Sequence, residues 1–416
     1  MLRVGASLAD PLHRLKVAVL IKRFLRTGGA EKYAMEVVRR LALAHEVHVF
    51  AHEWAFDGPE PITFHRIPRV CRKPAWLNQL FFSNFCRRAV SHGFDVVHSF
   101  EKVSTFDVMT VQSPCFKFSG IAVEKPWKCM LGWMRLAVSP RRLAWLWLER
   151  EQFSDDPARV VIAVSGQVQR NVQAQYPLPD ERFRLAYTGV AVSQTAVIAS
   201  KHDRDELRAR WDIGINDLVV LFVGTEFKRK GLDALLQGFA KVPRARFTLL
   251  IAGGGGERIE YYKKLVDRLQ LGSEVRFLGL VDGIERIYPI ADIYVLPTLA
   301  DPCPLAPLEA MAAGVATVMS SAAYNGTAEL IRQGEAVILS NPHDPEEIAA
   351  ALLTLMDSHV RQQVAVKGQQ LVRQLTWDKT AGVTEAAYRD VIQLRSVHRQ
   401  VAGTVKGAYG RSATIQ

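Results

Sequence analysis

Short apolar runs alternate along this chain with longer stretches in which apolar residues recur at helical spacing. The first run, residues 15–21 (LKVAVLI), is typical of a strand buried within a parallel sheet. The glycine pair Gly28-Gly29 and a helical pattern over about residues 30–44 follow it. Strand, glycine turn and helix in this order open a doubly wound α/β domain. Further strands are predicted in this half at residues 46–50, 62–67, 95–100 and 159–165.

The same alternation continues in the second half of the chain. Strands are predicted at residues 218–223, 247–256, 275–279, 293–296 and 315–319, and helices at about 345–358, 360–375 and 376–394. Residues 395–416 carry four basic and no acidic side chains and are predicted to be a disordered tail. No internal repeat is present, so the pattern predicts two separate α/β domains.

The loop that starts at Pro297 links a predicted strand to a short helix. Three prolines at positions 302, 304 and 307 forbid a continuous helix before Leu308, and Gly314 ends it. Asp301 and Glu309 bracket this helix start with seven residues between them. A helix N-terminus attracts phosphate or sugar hydroxyls, and a nearby carboxylate can accept from a ribose diol. The alternative is a capped helix whose glutamate is merely solvated.

A second loop, residues 224–231 (GTEFKRKG), follows the strand predicted at 218–223. Its adjacent Arg229 and Lys230, held between glycines, form a cationic cradle suited to a diphosphate. The alternative is a basic surface turn without a ligand.

Composition sets the class of protein. A length of 416 residues suits two domains, and 49% apolar with 23% charged residues is ordinary for a soluble globular protein. The five cysteines form no CxxC pair, which predicts a reduced, cytoplasmic protein without a metal site. We expect no signal peptide and no membrane span, because residues 1–14 lack an apolar core and no apolar run is long enough.

The net charge of +11 is unevenly distributed. Residues 1–190 hold 27 basic and 17 acidic side chains, whereas residues 191–416 hold 26 and 25. This excess predicts an anionic partner for the first half: a phosphorylated glycolipid, a membrane surface or a nucleic acid. A solvated basic surface without a partner is the alternative. Residues 115–153 interleave seven basic residues with aromatic ones, as a surface-lying membrane segment does. Core packing of the tryptophans and a nucleic-acid platform are the alternatives there.

The pattern Asp301-x7-Glu309, followed by Ala-Met-Ala-Ala-Gly, resembles the E-x7-E signature of family 4 nucleotide-sugar glycosyltransferases with the GT-B fold. The resemblance implies that Glu309 holds the nucleotide ribose. It also implies that Asp301 and the backbone of Leu305 and Ala306 bind the donor sugar and phosphates. This chain differs from the family in that Asp301 is one methylene shorter and Cys303-Pro304 replaces Phe-Gly.

Other motifs extend the resemblance over residues 15–395. Arg229 and Lys230 match the basic pair that neutralises the donor pyrophosphate, and Gly28-Gly29 matches a loop near the donor diphosphate. The stretch Glu101-Lys102-x4-Asp107 is similar to the lipopolysaccharide core glucosyltransferase branch, which implies that Asp107 orients the acceptor hydroxyl. An Asp that caps a turn is the alternative, and His98 is expected to be structural.

The resemblance implies an organisation into two doubly wound, Rossmann-like domains that face a cleft. Residues 1–14 are then an N-terminal extension. Residues 15–190 form the acceptor-side domain, with the basic aromatic insertion 115–153. Residues 191–375 form the nucleotide-sugar-binding domain. Residues 376–394 form a helix that crosses back to the first domain, and residues 395–416 are the tail.

The implied activity is retaining, metal-independent transfer of a hexose from a nucleoside-diphosphate sugar, with UDP-glucose expected. Asp107, Asp301 and Lys230 are the catalytic candidates, and no cofactor is expected beyond the co-substrate. The implied acceptor is a lipid-linked, phosphorylated glycan of the lipopolysaccharide inner core, reached from the cytoplasmic face of an anionic membrane. An exopolysaccharide acceptor and a non-enzymatic nucleic-acid-binding protein are the alternatives.

Overall fold

The computed structural model describes residues 14–26, 28–115, 139–154, 156–191, 201–211, 213–214, 216–243, 247–254 and 257–410. The chain divides into two compact units. The first comprises Met1–Ala163, Gln169–Ala186 and Thr380–Gln416, and the second comprises Val164–Val168 and Tyr187–Lys379.

The first unit is built on a seven-stranded parallel sheet with the strand order β5-β3-β1-β6-β7-β8-β9. The strands are β1 (Lys16–Leu20), β3 (Glu46–Ala51), β5 (Ile62–Arg66), β6 (Val96–Ser99), β7 (Val108–Val111), β8 (Val160–Ala163) and β9 (Phe183–Leu185), and β2 (Arg23–Phe24) pairs separately with β4 (Glu53–Trp54). The helices are α1 (Gly29–Ala44), α2 (Ala75–Ala89), α3 (Pro140–Gln152) and α4 (Gly166–Gln173), whose first three residues count with the second unit.

The second unit has a six-stranded parallel sheet with the order β12-β11-β10-β13-β14-β15. Its strands are β10 (Leu218–Val223), β11 (Phe247–Ala252), β12 (Val275–Gly279), β13 (Ile293–Leu296), β14 (Ala316–Ser320) and β15 (Val337–Leu339). Its helices are α5 (Lys201–Ala209), α6 (Leu232–Phe239), α7 (Glu257–Arg268), α8 (Leu305–Ala312), α9 (Pro345–Thr354) and α10 (Ser358–Val372). The last helix, α11 (Trp377–Gly410), begins here and continues with residues of the first unit.

Both sheets are doubly wound, as the apolar runs predict. The central strands β1, β6, β10 and β13 are almost entirely buried, because helices cover both faces of a parallel sheet. The strand order reverses between β1 and β6 in the first sheet and between β10 and β13 in the second. Ligands of such sheets bind at the carboxyl ends of the strands that flank this reversal.

Two predictions about helix limits are wrong. Helix α8 begins at Leu305 instead of Leu308, since Pro307 lies in the first turn, where a missing N–H costs no helical hydrogen bond. The predicted disordered tail at 395–416 is helical through Gly410, as part of α11. Basic charge without acid does not prevent a helix that contains no proline.

The basic aromatic insertion is described only in part. Residues 116–138, which include Lys125 and Lys128, lie outside the described residues. In α3, Leu148 is buried, whereas Leu143 and Trp147 are 47% and 49% exposed. Within the described part of the chain, no helix is both long enough and apolar enough to cross a membrane.

Candidate active site

Two loops meet at the strand-order reversal of the second sheet. One follows β10 and carries Arg229 and Lys230; the other follows β13 and leads through Asp301 into α8. Strands β10 and β13 are hydrogen-bonded neighbours, so both loops leave the same edge of the sheet.

Backbone contacts hold these loops together. The carbonyl oxygen of Arg229 accepts from Leu299 N at 2.9 Å and from Thr298 Oγ1 at 3.2 Å. Gly231 has a φ of +79°, and a Cβ there would lie 1.9 Å from the carbonyl oxygen of Pro297. Only glycine fits this left-handed position, so the glycine after Lys230 allows the close approach of the two loops.

The cationic pair converges on Asp301. Lys230 Nζ forms an ion pair with Asp301 Oδ2, and Arg229 Nη1 lies 3.4 Å from the same oxygen. Arg229 also donates to the Ala300 carbonyl at 2.6 Å and, through Nε, to Glu226 at 2.8 Å. Burial opposes the charge of Arg229, but Glu226 and Asp301 outweigh it and raise its pKa. The guanidinium therefore stays charged at every physiological pH.

Asp301 is fixed by the chain that follows β14. Its backbone N donates to the Tyr324 carbonyl at 2.8 Å, and its carbonyl accepts from Gly326 N at 2.9 Å. A Cβ at Gly326 would lie 1.8 Å from the Pro302 carbonyl oxygen. Asp301 is only 8% exposed, and these backbone hydrogen bonds hold its carboxylate beside Lys230.

Glu309 lies in α8, eight positions after Asp301, and is also 8% exposed. The Tyr288 hydroxyl donates to Glu309 Oε2 at 2.8 Å. Burial, and then the charge of Glu309, raise the pKa of Tyr288 well above its ordinary value. A phenol that stays protonated is a permanent donor, so it fixes the orientation of this carboxylate.

The N-terminus of α8 has no side-chain cap. Its N-cap is Pro304, which makes no side-chain hydrogen bond, and Leu305 and Ala306 supply the first helical N–H groups. Cys303 lies beside Thr188, with Sγ and Oγ1 3.1 Å apart, and burial raises the pKa of its thiol. The thiol is therefore a packing group rather than a nucleophile.

In the first unit, the predicted glycine pair begins α1. Gly28 is its N-cap with a φ of +98°, and a Cβ there would lie 2.3 Å from Glu31 Oε2. Glu31 pairs with Arg23 at 2.5 Å. Gly28 and Gly29 thus lie after the carboxyl end of β1, where the strand order of the first sheet reverses.

Asp107 lies elsewhere, and the prediction that it orients the acceptor hydroxyl is at odds with its position. It precedes β7, at the amino end of the sheet, whereas ligands bind at carboxyl ends. Its Oδ2 accepts from Val97 N at 2.7 Å and its Oδ1 pairs with Arg395. The sequence analysis predicted no strand at residues 108–111, so it did not indicate that Asp107 lies at the amino end of one.

His98 is structural, as expected. Its ring nitrogens contact Tyr388 Oη at 2.7 Å and Thr110 Oγ1 at 2.8 Å. The side chain is fully buried, and burial lowers its pKa to about 3.

The structure thus brings together six candidates in the second unit: Arg229, Lys230, Asp301, Leu305, Ala306 and Glu309. Sequence reasoning missed Tyr288 and Glu226. Tyr288 precedes an apolar strand and has the pattern of a core residue, while Glu226 resembles any exposed loop acid. Among the described residues, no group of three or more His, Cys, Asp or Glu side chains is arranged to hold a metal.

Two family profiles match the chain, one in each half. The profile described as Glycosyltransferase Family 4 matches residues 27–194, and the profile described as Glycosyl transferases group 1 matches residues 217–358. The lipopolysaccharide glucosyltransferase WaaG of Escherichia coli K12 is 21% identical over 81% of this chain and 88% of its own length. The uncharacterized glycosyltransferase MJ1607 of Methanocaldococcus jannaschii is 26% identical over 56% of this chain, which spans 60% of that relative's length.

Solved structures share the architecture. The crystal structure of WaaG superposes with a TM-score of 0.76 at 20% identity, over 89% of this chain and 98% of that one. Anabaena Alr3699/HepE, solved in complex with UDP-glucose, superposes with a TM-score of 0.67 at 18% identity, over 95% of this chain and 100% of that one. At these identities the likeness concerns the fold.

Proposed function

The chain belongs to the family 4 glycosyltransferases and has their GT-B fold, and from this premise we propose that it transfers a hexose from a nucleoside-diphosphate sugar to a lipid-linked, phosphorylated glycan. The observation that carries this proposal is the convergence of Arg229 and Lys230 on Asp301 in the loops beside Glu309. Cations, a helix N-terminus and a fixed carboxylate are the groups that a diphosphate and a ribose require.

In the proposed donor complex, each group meets one part of the nucleotide sugar. The ribose diol donates to Glu309, while Arg229 and Lys230 bind the diphosphate. The N–H groups of Leu305 and Ala306 add donors from the start of α8. Before the donor binds, Asp301 forms its ion pair with Lys230. Once the Lys230 ammonium group also contacts the diphosphate, the Asp301 carboxylate contacts the donor sugar. We propose UDP-glucose as the donor, since one structural relative was solved with it and another is named a glucosyltransferase.

The proposed reaction retains the configuration at the anomeric carbon. The acceptor oxygen bonds to this carbon as the bond from the carbon to the diphosphate oxygen breaks. The departing phosphate takes the acceptor proton, so the products are a glycoside and UDP. Arg229 and Lys230 stabilise the charge that develops on the diphosphate, which is the part that a metal ion plays elsewhere. The proposed transfer therefore needs no metal, and Lys230 and Asp301 are its catalytic residues.

The proposed acceptor is a phosphorylated glycolipid, with the lipopolysaccharide inner core as its leading example. The name of WaaG and the basic excess of residues 1–190 support it. The same chemistry on an exopolysaccharide intermediate is the second candidate. A lipid acceptor requires the protein to work at a membrane surface, and we propose peripheral attachment to the cytoplasmic face. Family membership argues against the nucleic-acid alternative.

Purified protein incubated with a panel of radiolabelled nucleotide sugars and membrane lipid extract tests the proposal. We expect label to enter the lipid fraction from one sugar nucleotide, UDP-glucose, and NMR of the product to show the donor's anomeric configuration. Lipid extract stripped of its phosphates by phosphatase is the control for the acceptor. Absence of transfer from every nucleotide sugar would contradict the proposed activity.

A further inference from the structure

The two cations of the proposed donor site are both paired with carboxylates of the protein. Arg229 pairs with Glu226, with 2.5 Å between Nη2 and Oε2, and Lys230 pairs with Asp301. Two positive and two negative side chains cancel, so these four residues bring no net charge to the site. The proposed reaction gives a role to each of the four except Glu226.

Glu226 occupies an edge of the Arg229 guanidinium that a phosphate would use. Its Oε2 accepts from Nε at 2.8 Å and from Nη2 at 2.5 Å. The third nitrogen, Nη1, donates to the Ala300 carbonyl oxygen at 2.6 Å and lies 3.4 Å from Asp301 Oδ2. A guanidinium binds phosphate most strongly through two parallel N–H groups on neighbouring nitrogens. A diphosphate can therefore bind Arg229 in this way only when one of these acceptors leaves.

The exposure of the acceptors indicates which of them leaves. The side chain of Glu226 is 57% exposed, whereas that of Asp301 is 9% exposed and Ala300 contributes a backbone oxygen. An exposed ion pair contributes little to stability, because water solvates both charges when they separate. The backbone of Glu226 is held independently, since its carbonyl oxygen accepts from Lys230 N at 2.9 Å. The Glu226 carboxylate can therefore rotate away from Arg229 without moving the loop.

The displaced carboxylate remains near the ligand and repels its negative charge. UDP, the product, ends in a free phosphate group, and a phosphate monoester with a second pKa of about 6 carries almost two negative charges at pH 8. In a sugar nucleotide the same phosphate is esterified by the sugar and carries a single negative charge. Because Coulomb repulsion grows with the charge of the ligand, Glu226 opposes the binding of UDP more strongly than that of the donor.

Resting on the proposed function, we infer that Glu226 weakens the binding of the product UDP more than the binding of the sugar nucleotide. It does so by competing for Arg229 and by repelling the additional phosphate charge. Glu226 thus favours release of the product and does not hold the donor.

Calorimetry with UDP and with UDP-glucose at pH 8 tests the inference. Glu226→Gln should bind UDP about fivefold more tightly than the wild type and UDP-glucose about twofold more tightly or less, as expected for the loss of one exposed charge. In the transfer assay, UDP should inhibit this variant at a correspondingly lower concentration. Glu260→Gln is the matched control, because Glu260 pairs with Lys263 at the same i,i+3 spacing on the surface of α7 and should leave both affinities unchanged.

The Arg229→Ala background separates competition for the guanidinium from charge repulsion alone. In that background Glu226 has no guanidinium to occupy, so Glu226→Gln should tighten UDP binding less than it does in the wild-type background. An equal gain in both backgrounds would contradict the competition.

Unchanged or weaker UDP binding by Glu226→Gln would overturn the inference, and weaker binding is the result expected if Glu226 positions Arg229 for the donor. An equal gain for UDP and UDP-glucose would overturn it as well. Sugar transfer by the wild type is measured separately, so the two proposals can fail independently. Tighter UDP binding by the variant without transfer by the wild type contradicts the proposed function alone, whereas transfer with an unchanged UDP affinity contradicts the role of Glu226 alone.

Discussion

The hydroxyl of Tyr288 donates a 2.8 Å hydrogen bond to Oε2 of Glu309, and neither side chain is more than 8% exposed. Tyr288 precedes strand β13, and Glu309 lies in the helix that follows it. The strand therefore joins a buried donor to the carboxylate proposed to bind ribose. A carboxylate with one oxygen fixed in this way has its orientation set before the nucleotide arrives.

Tyr288→Phe should weaken UDP binding about 10- to 100-fold, because a hydrogen bond to a charged group is worth about 1.5–3 kcal/mol. The matched control is Tyr294→Phe. Tyr294 is also fully buried, but its hydroxyl has no partner among the described residues, so its loss should leave UDP affinity unchanged. Calorimetry with UDP measures both. If Tyr288→Phe bound UDP with the same affinity as Tyr294→Phe, Tyr288 would not position Glu309.

Arg229→Ala and Lys230→Ala should each reduce kcat about 10- to 100-fold, since each removes one charge-assisted contact from the leaving diphosphate. Lys228→Ala is the control, because Lys228 is exposed in the same loop and should tolerate the change with activity near wild type. Circular dichroism checks that the variants fold. Full turnover in both Arg229 and Lys230 variants would remove this loop from the active site.

His98 gives the first unit a defined pH dependence. Its pKa is about 3 in the fold and 6.5 otherwise, so the unfolded chain binds one more proton between these values. The contribution of His98 to stability is therefore complete above about pH 6.5 and is lost as pH falls through this window. His98→Gln should reduce the acid-induced loss by about 1.4 kcal/mol per pH unit there. The free energy of unfolding in urea, measured at pH 7 and pH 5, tests this, with exposed His92→Gln as control. An equal change in this free energy between the two pH values for wild type and His98→Gln would exclude the role of His98.

Membrane attachment should be electrostatic. We expect co-sedimentation with anionic but not neutral vesicles, reversed in 1 M salt, where screening shortens to about 3 Å. Changing Lys125, Lys128, Arg141 and Arg142 to Gln should reduce binding, whereas changing Lys263 and Lys264 of the second unit to Gln should not. Equal binding to both vesicle types would assign the tryptophans of residues 115–153 to packing instead.

The sequence predicted five of the seven strands of the first sheet and five of the six of the second, because buried parallel strands are continuous apolar runs with glycine or charged loops after them. It did not predict β7, β9 or β15, each of which is three or four residues long. It also predicted the loops of Arg229 and Asp301, because a basic pair between glycines and a proline-rich helix start each follow a predicted strand. The position of Asp107 at the amino end of β7 was not predicted, because β7 itself was not recognised in the sequence. Tyr288 was missed because a buried donor and a core aromatic residue have the same hydrophobic pattern.

The central claim is transfer of a sugar from a nucleotide to a lipid, and its most direct measurement is stoichiometric. Wild-type protein is incubated with labelled UDP-glucose and membrane lipid extract, and released UDP and labelled lipid are quantified together. The proposed function predicts equal amounts of both products, with neither formed when the extract is omitted. UDP release without labelled lipid, or a donor that remains intact beside the extract, would contradict it.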